Sequence, residues 1–137
     1  MARPLGSRVH ALLDCPVALA LIAVPFLLDL ERYGEAAAAV PVVIGALLLV
    51  QATVTDYEFA LEPAIPLPAH LAVDVVAGVA LAASPWALGF ADEGTAAWLG
   101  HVVAGAWLVA AGLLTRPVPE RGATVLRLPP QPPLHLR

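Results

Sequence analysis

Four apolar runs, residues 9–28, 36–54, 70–90 and 96–114, leave this chain few ways to fold. Each is close to the ~20 residues that an α-helix needs to cross ~30 Å of hydrocarbon. A helix satisfies its own backbone polar groups, so such a run can enter lipid without a partner. The composition points the same way: 60% of the 137 residues are hydrophobic and 13% are charged, against roughly 45–50% and 25% in soluble domains. A water-soluble core of this length could not cover that much apolar surface. The expected fold class is an all-α membrane protein with four transmembrane helices, its bulk in contact with the lipid bilayer.

The connections divide these helices into two hairpins. Residues 30–35 carry Glu31, Arg32, Gly34 and Glu35, and residues 91–95 carry Asp92, Glu93 and Gly94, so both read as short turns at a membrane surface. The middle connection, residues 55–69, is longer and holds Asp56, Glu58 and Glu62 with Pro63, Pro66 and Pro68, which interrupt helix. Sliding the sequence by 60 residues superposes the hairpins without a gap. That frame pairs His10 with His70, Asp14 with Asp74, Pro25 with Pro85, Gly34 with Gly94, Gly45 with Gly105 and Thr55 with Thr115. Matches at polar, Pro and Gly positions mark a duplicated unit. The expected organisation is an N-terminal segment (1–8), a first two-helix repeat (9–54), a connecting loop (55–69), a second, parallel repeat (70–115) and a Pro- and Arg-rich disordered tail (116–137).

Charge sets the expected orientation. All seven basic residues are arginines; Arg3 and Arg8 precede the first helix, and Arg116, Arg121, Arg127 and Arg137 follow the fourth. The positive-inside rule then places both termini in the cytoplasm, with the chain a multi-pass membrane protein. A secretory signal over the first run is disfavoured, because Asp14 and Pro16 interrupt it and its copy lies in mid-chain. The basic residues form no patch interleaved with aromatics, so nucleic acid is not an expected partner. Cys15 is the single cysteine, which leaves no internal disulfide and no thiolate metal cage. Glycine-rich phosphate loops and nucleophile–base pairings are missing too, so hydrolase chemistry is disfavoured and no catalytic residue is assigned.

The residues able to carry chemistry are His10 and Asp14 with their copies His70 and Asp74. A spacing of four puts each pair on one helix face, the Asp about one turn deeper in the bilayer. An intramembrane carboxylate costs about 2.5–3.5 kcal/mol on insertion scales, so it should face the bundle interior and find a donor. Parallel repeats related by a pseudo-two-fold axis along the membrane normal would bring both pairs to one depth. Asp56, Glu58, Arg8 and Arg116 are expected on the same inner side. The leading reading is an interhelical His–Asp network in a structural or interaction protein. Imidazole with carboxylate also suits a divalent metal such as Zn²⁺, Mn²⁺ or Fe²⁺, or a proton relay, and His10 with His70 could ligate haem.

Other positions read as architecture. Pro25 and Ser84-Pro85-Trp86 fall near the outer helix ends, where Pro bends a helix and Trp anchors at headgroup level. Gly45 with Ala52, and Gly105 with Gly112, are small residues seven apart that permit close helix approach, and Ala18 and Gly78 extend the odd-numbered helices in the same way. Those stripes could serve a second protomer or another membrane protein, giving a weak expectation of a homo-oligomer. His101, whose repeat mate is Pro41, is expected to be an interfacial polar residue.

The second repeat reads HLAVDVVAGVALAASPWALGF over residues 70–90 and resembles the bacterial SPW-repeat membrane proteins, named for the Ser-Pro-Trp that stands here as Ser84-Pro85-Trp86. The first repeat keeps the frame but reads Val24-Pro25-Phe26, a degenerate copy. With TDYE at residues 55–58, then Ile65-Pro66 and His70, the resemblance covers about residues 9–115. It implies a four-helix membrane architecture and supplies neither an activity nor site residues.

Overall fold

A computed structural model describes residues 3–56, 61–62 and 64–118. Tyr57, Glu58, Pro63 and the tail with Arg121, Arg127 and Arg137 lie outside the described residues. The described chain forms four long helices, α1 (Ser7–Leu27), α2 (Glu35–Val54), α3 (Leu67–Ala87) and α4 (Thr95–Leu114), each long and apolar enough to cross a membrane. The odd helices begin two to three residues before the apolar runs, at Ser7 and Leu67, and stop short of their ends, at Leu27 and Ala87. Pro66 caps α3 at its N-terminus, where a missing N–H costs nothing.

Short 3₁₀ turns, Leu30–Tyr33 and Ala91–Glu93, reverse the chain within each hairpin. Each turn closes on a glycine, Gly34 at φ 115° and Gly94 at φ 118°, in a region that side chains disfavour. Both hairpins thus turn by the same device.

Packing is densest inside each hairpin, α1 against α2 and α3 against α4. The glycines explain the closeness. A Cβ on Gly45 would stand 2.7 Å from the Ala18 carbonyl oxygen, one on Gly78 2.6 Å from that of Gly105, and one on Gly112 2.6 Å from that of Leu71. Gly105 meets the Gly78 carbonyl in return. These glycines therefore face the neighbouring helix of their own hairpin, not a second protomer.

Between the hairpins the mid-bundle core is apolar, built of Ala18, Leu21, Ile44, Leu48, Leu81 and Leu108. The outer surface is apolar as well, with Leu12, Phe26, Leu47, Val76, Val103 and Trp107 exposed. A surface of that kind is at home in lipid.

The end carrying the termini is closed by two equivalent backbone links. Ile65, just before α3, pairs with Thr55 at the end of α2, through Asp56 N–H to Ile65 O (2.8 Å) and Ile65 N–H to Val54 O (2.9 Å). Leu5, just before α1, pairs with Thr115 at the end of α4, through Leu5 N–H to Leu114 O (3.1 Å) and Arg116 N–H to Leu5 O (2.9 Å). Leu5 and Ile65 occupy the same place in the 60-residue frame. The second link therefore joins the start of repeat one to the end of repeat two and closes the pseudo-two-fold ring.

Candidate functional site

The ring sets four ionisable side chains around its axis, one turn inside the helix starts. His10 and Asp14 come from α1, His70 and Asp74 from α3, and both histidines are fully buried. The two Nε2 atoms lie 3.2 Å apart with the imidazole planes at 76°. Around them stand Asp14 Oδ1, 3.2 Å from His10 Nε2, and Asp14 Oδ2, 3.4 Å from His70 Nε2. Asp74 Oδ2 lies 3.1 Å from His10 Nε2 and 3.4 Å from His70 Nε2. All four residues singled out from the sequence thus converge on one point.

The far sides of the imidazoles are held by residues the sequence reading had aligned but given no role. Thr115 Oγ1 lies 2.9 Å from His10 Nδ1, and Thr55 Oγ1 lies 2.7 Å from His70 Nδ1. Each hydroxyl donates its one proton to the carbonyl four residues back, Thr115 to Ala111 O at 2.6 Å and Thr55 to Gln51 O at 2.7 Å. With that proton committed, the hydroxyl oxygen can only accept from the imidazole. Both Nδ1 atoms therefore carry the hydrogen, and a neutral ring then has a bare Nε2. Two bare nitrogens and two carboxylates face one another in a buried site. Asp74 Oδ2 agrees with this assignment: it is fully buried and has no aligned hydrogen-bond partner, although both Nε2 atoms are near.

The two halves of the cluster are not equal. On the α2 side, Gln51 Nε2 donates to His70 O (3.2 Å) and to Asp74 Oδ1 (3.4 Å), turning Oδ2 toward the centre. Its repeat mate on α4 is Ala111, which has no amide to offer Asp14. The side chain of Asp14 is 14% exposed against 4% for Asp74. Two small cavities of about 10 and 20 Å³ border both carboxylates, one against His70 and the other against His10, Trp107 and Ala111. Nothing but its lone polarity in an apolar helix marked Gln51 in the sequence.

The other predicted positions are spread elsewhere. Pro25 and Ser84-Pro85-Trp86 sit at the turn end. Pro85 removes the N–H that would have served the Leu81 carbonyl, and Ser84 Oγ donates to that carbonyl instead, at 2.8 Å. Trp86 packs on Trp98 with centroids 5.8 Å apart. His101, expected as an interfacial polar residue, is buried inside the bundle at 3% exposed. Its Nε2 lies 3.0 Å from Ala37 O, and its ring packs against Phe90. Ala37 is four residues before Pro41, so its carbonyl too lacks the usual helical donor. His101, the repeat mate of that very proline, supplies one. Asp56 stays at the terminus end with its N–H on Ile65 O, and Arg116 and Arg3 tie the termini together, Arg116 Nε donating to Arg3 O (3.0 Å) and Arg3 Nη1 to Thr115 O (3.1 Å).

No curated protein and no solved structure matches this chain. The SPW repeat domain does, over residues 8–115, a span that opens just before the first His–Asp pair and closes on Thr115. Because that match takes in both hairpins and every member of the cluster, the chain belongs to the SPW repeat domain family.

Proposed function

We propose that this protein is a structural or interaction protein of the membrane in which the His–Asp cluster is a clasp, drawing the two hairpins together around a positive charge. The observation that carries the reading is the pair of threonine locks. They direct both Nδ1 hydrogens outward and leave two lone pairs and two carboxylates pointing inward. Such a centre is repulsive without a cation, whether that is a proton on Nε2 or a metal ion. With one, it joins α1 to α3, whose backbones approach each other less closely than those of the helices within a hairpin. Burying ionic groups is costly unless they are mutually compensated, which is what the fourfold convergence provides.

Nitrogen-15 NMR of the imidazoles in detergent-solubilised protein tests the locks. The expected spectrum has protonated Nδ1 on both His10 and His70. Neutral rings protonated on Nε2 alone would overturn the clasp, since ordinary hydrogen bonds to the carboxylates would then suffice. The reading places both termini on the cytoplasmic side of a bacterial inner membrane, from the arginine distribution. Cysteine-accessibility labelling in a Cys15→Ser background tests it, because Cys15 is itself exposed. A middle connection labelled from the side opposite to the termini would sink that topology.

A further inference from the structure

We infer that the cation of this clasp is a divalent first-row transition metal of the zinc class, held by Nε2 of His10, Nε2 of His70, Asp74 Oδ2 and one oxygen of Asp14. The inference rests on the clasp reading and names its occupant.

Distance is the first argument. Ligands at 2.0–2.1 Å from a tetrahedral zinc ion stand about 3.3–3.4 Å from one another by simple geometry. The triangle of His10 Nε2, His70 Nε2 and Asp74 Oδ2 has edges of 3.2, 3.1 and 3.4 Å. Asp14 places Oδ1 3.2 Å from His10 Nε2 and Oδ2 3.4 Å from His70 Nε2, so its carboxylate stands beside both nitrogens as the fourth ligand. The three atoms of the triangle leave room for a point at bonding distance from each.

The surroundings supply the second argument. A ligating imidazole normally donates its other N–H to an oxygen that fixes the ring's tautomer and orientation. Thr115 and Thr55 do this for His10 and His70. Gln51 does the equivalent for Asp74, holding Oδ1 so that Oδ2, buried and without an aligned hydrogen-bond partner, faces inward. Among the described residues His10, His70 and Asp74 are all buried and close enough to share one ion.

Charge is the third. Two carboxylates carry a charge of −2, which a divalent ion cancels in a region where net charge is expensive. A single proton leaves one negative charge over. Two imidazole nitrogens with two carboxylate oxygens and no thiolate suit zinc, and also ferrous or manganous ions. Haem does not fit: axial histidines lie on opposite faces of the macrocycle, whereas these Nε2 atoms are in contact and the cavities beside them are about 10 and 20 Å³.

The test uses the full chain, untagged, in mild detergent after chelator treatment. Zn²⁺ titrated by calorimetry is expected to bind one equivalent per chain, and His10→Gln or Asp74→Asn to abolish that binding. Thr115→Val, which keeps all four ligands, should weaken it about ten- to a hundredfold. X-ray absorption of the wild-type complex should report two imidazole nitrogens at about 2.0–2.1 Å, a readout independent of whether any variant folds. No binding by helical wild-type protein, binding indifferent to Asp74→Asn, or a shell without histidine would overturn the metal. If the nitrogen spectra of the same metal-free protein still show Nδ1 protonation with a second proton on Nε2, the clasp stands with a proton in place of the metal. Rings protonated on Nε2 alone would remove both.

Discussion

The two ends of this bundle are built by opposite rules. At the terminus end the residues that meet at the axis are kept in both copies: Leu5 and Ile65 differ only in branching, and His10 with His70, Asp14 with Asp74 and Thr55 with Thr115 are identical, although Gln51 stands against Ala111. At the turn end they share the helix proline (Pro25, Pro85) and the turn glycine (Gly34, Gly94), but the side chains around these diverge, with Val24 against Ser84, Phe26 against Trp86, Leu30 against Phe90 and Pro41 against His101. The reason is geometric. Near the axis each copy supplies half of one site, so a change in either copy spoils the whole. At the turn end each hairpin meets its own local difficulty, chiefly carbonyls deprived of donors by proline, and solves it with whatever side chain is at hand. Duplication constrains residues where the copies meet and releases them where they part.

The sharpest way to break this contrast is to remove one member of the shared site. His70→Ala leaves carboxylates buried without their partner, and the expected loss is about 3–5 kcal/mol, read by reversible unfolding in mixed micelles. Adding His10→Ala should cost much less than a second such loss, because the two side chains belong to one unit. Additive losses of similar size would mean that each histidine serves its own hairpin. The contrast between the ends would then have no physical basis.

A middle-sized effect is expected where the helices of one hairpin touch. Gly105→Ala drives a methyl into the Gly78 carbonyl and Ala82, and overpacking of that kind costs about 1–3 kcal/mol. Gly100→Ala on the same helix meets nothing within 4 Å. It should be neutral or stabilising by about 0.5–1 kcal/mol, as expected of glycine replaced within a helix. Equal responses at the two glycines would show that the close approach of α3 and α4 is not maintained in the membrane.

At the turn end, His101→Leu deprives the Ala37 carbonyl of its donor. The expected loss is about 0.6–1.7 kcal/mol, the measured span for hydrogen bonds between membrane helices. The effect should stay well below that of His70→Ala although both residues are buried histidines, since His101 satisfies one dipole and no charge. A loss as large as that of His70→Ala would erase the distinction between the ends.

How much of this was legible beforehand follows the same division. The four spans and the 60-residue frame are carried by hydropathy and by repeated Pro, Gly, His and Asp, so the architecture and the meeting of His10, Asp14, His70 and Asp74 could be read from periodicity alone. Thr55 and Thr115 lay in the frame as a matched polar pair, yet their bond to the histidines depends on chain segments that cross from one hairpin to the other. No helical spacing encodes that. Gln51 and His101 are unduplicated, and the frame assigns them nothing. His101 was misjudged as interfacial because its position near a helix start suggested water. Its place opposite Pro41 was the usable signal, since a proline four residues after Ala37 announces an orphaned carbonyl.

The smallest effect bears on the Ser-Pro-Trp motif itself. Ser84 Oγ donates to Leu81 O, the carbonyl that Pro85, lacking an N–H, cannot serve. Ser84→Ala in the wild-type background should therefore cost about 0.6 kcal/mol, the mean for a membrane hydrogen bond. In a Pro85→Ala background the backbone N–H of residue 85 can reach the same carbonyl, and the serine becomes redundant. The cost of Ser84→Ala should then fall toward zero, a coupling of about 0.6 kcal/mol that a double-mutant cycle in unfolding experiments can resolve. Equal costs in both backgrounds would mean that the serine acts by packing at a site only 5% exposed. A cost that vanishes once the proline is replaced would identify the first two letters of the motif as one device, a proline that bends α3 and a serine that repairs the bond the bend removes. Val24, which offers the Leu21 carbonyl no hydroxyl, shows that the first copy does without that repair at a position 38% exposed. The repair therefore goes with the burial of residue 84 in the second copy, where Ser84 faces inward.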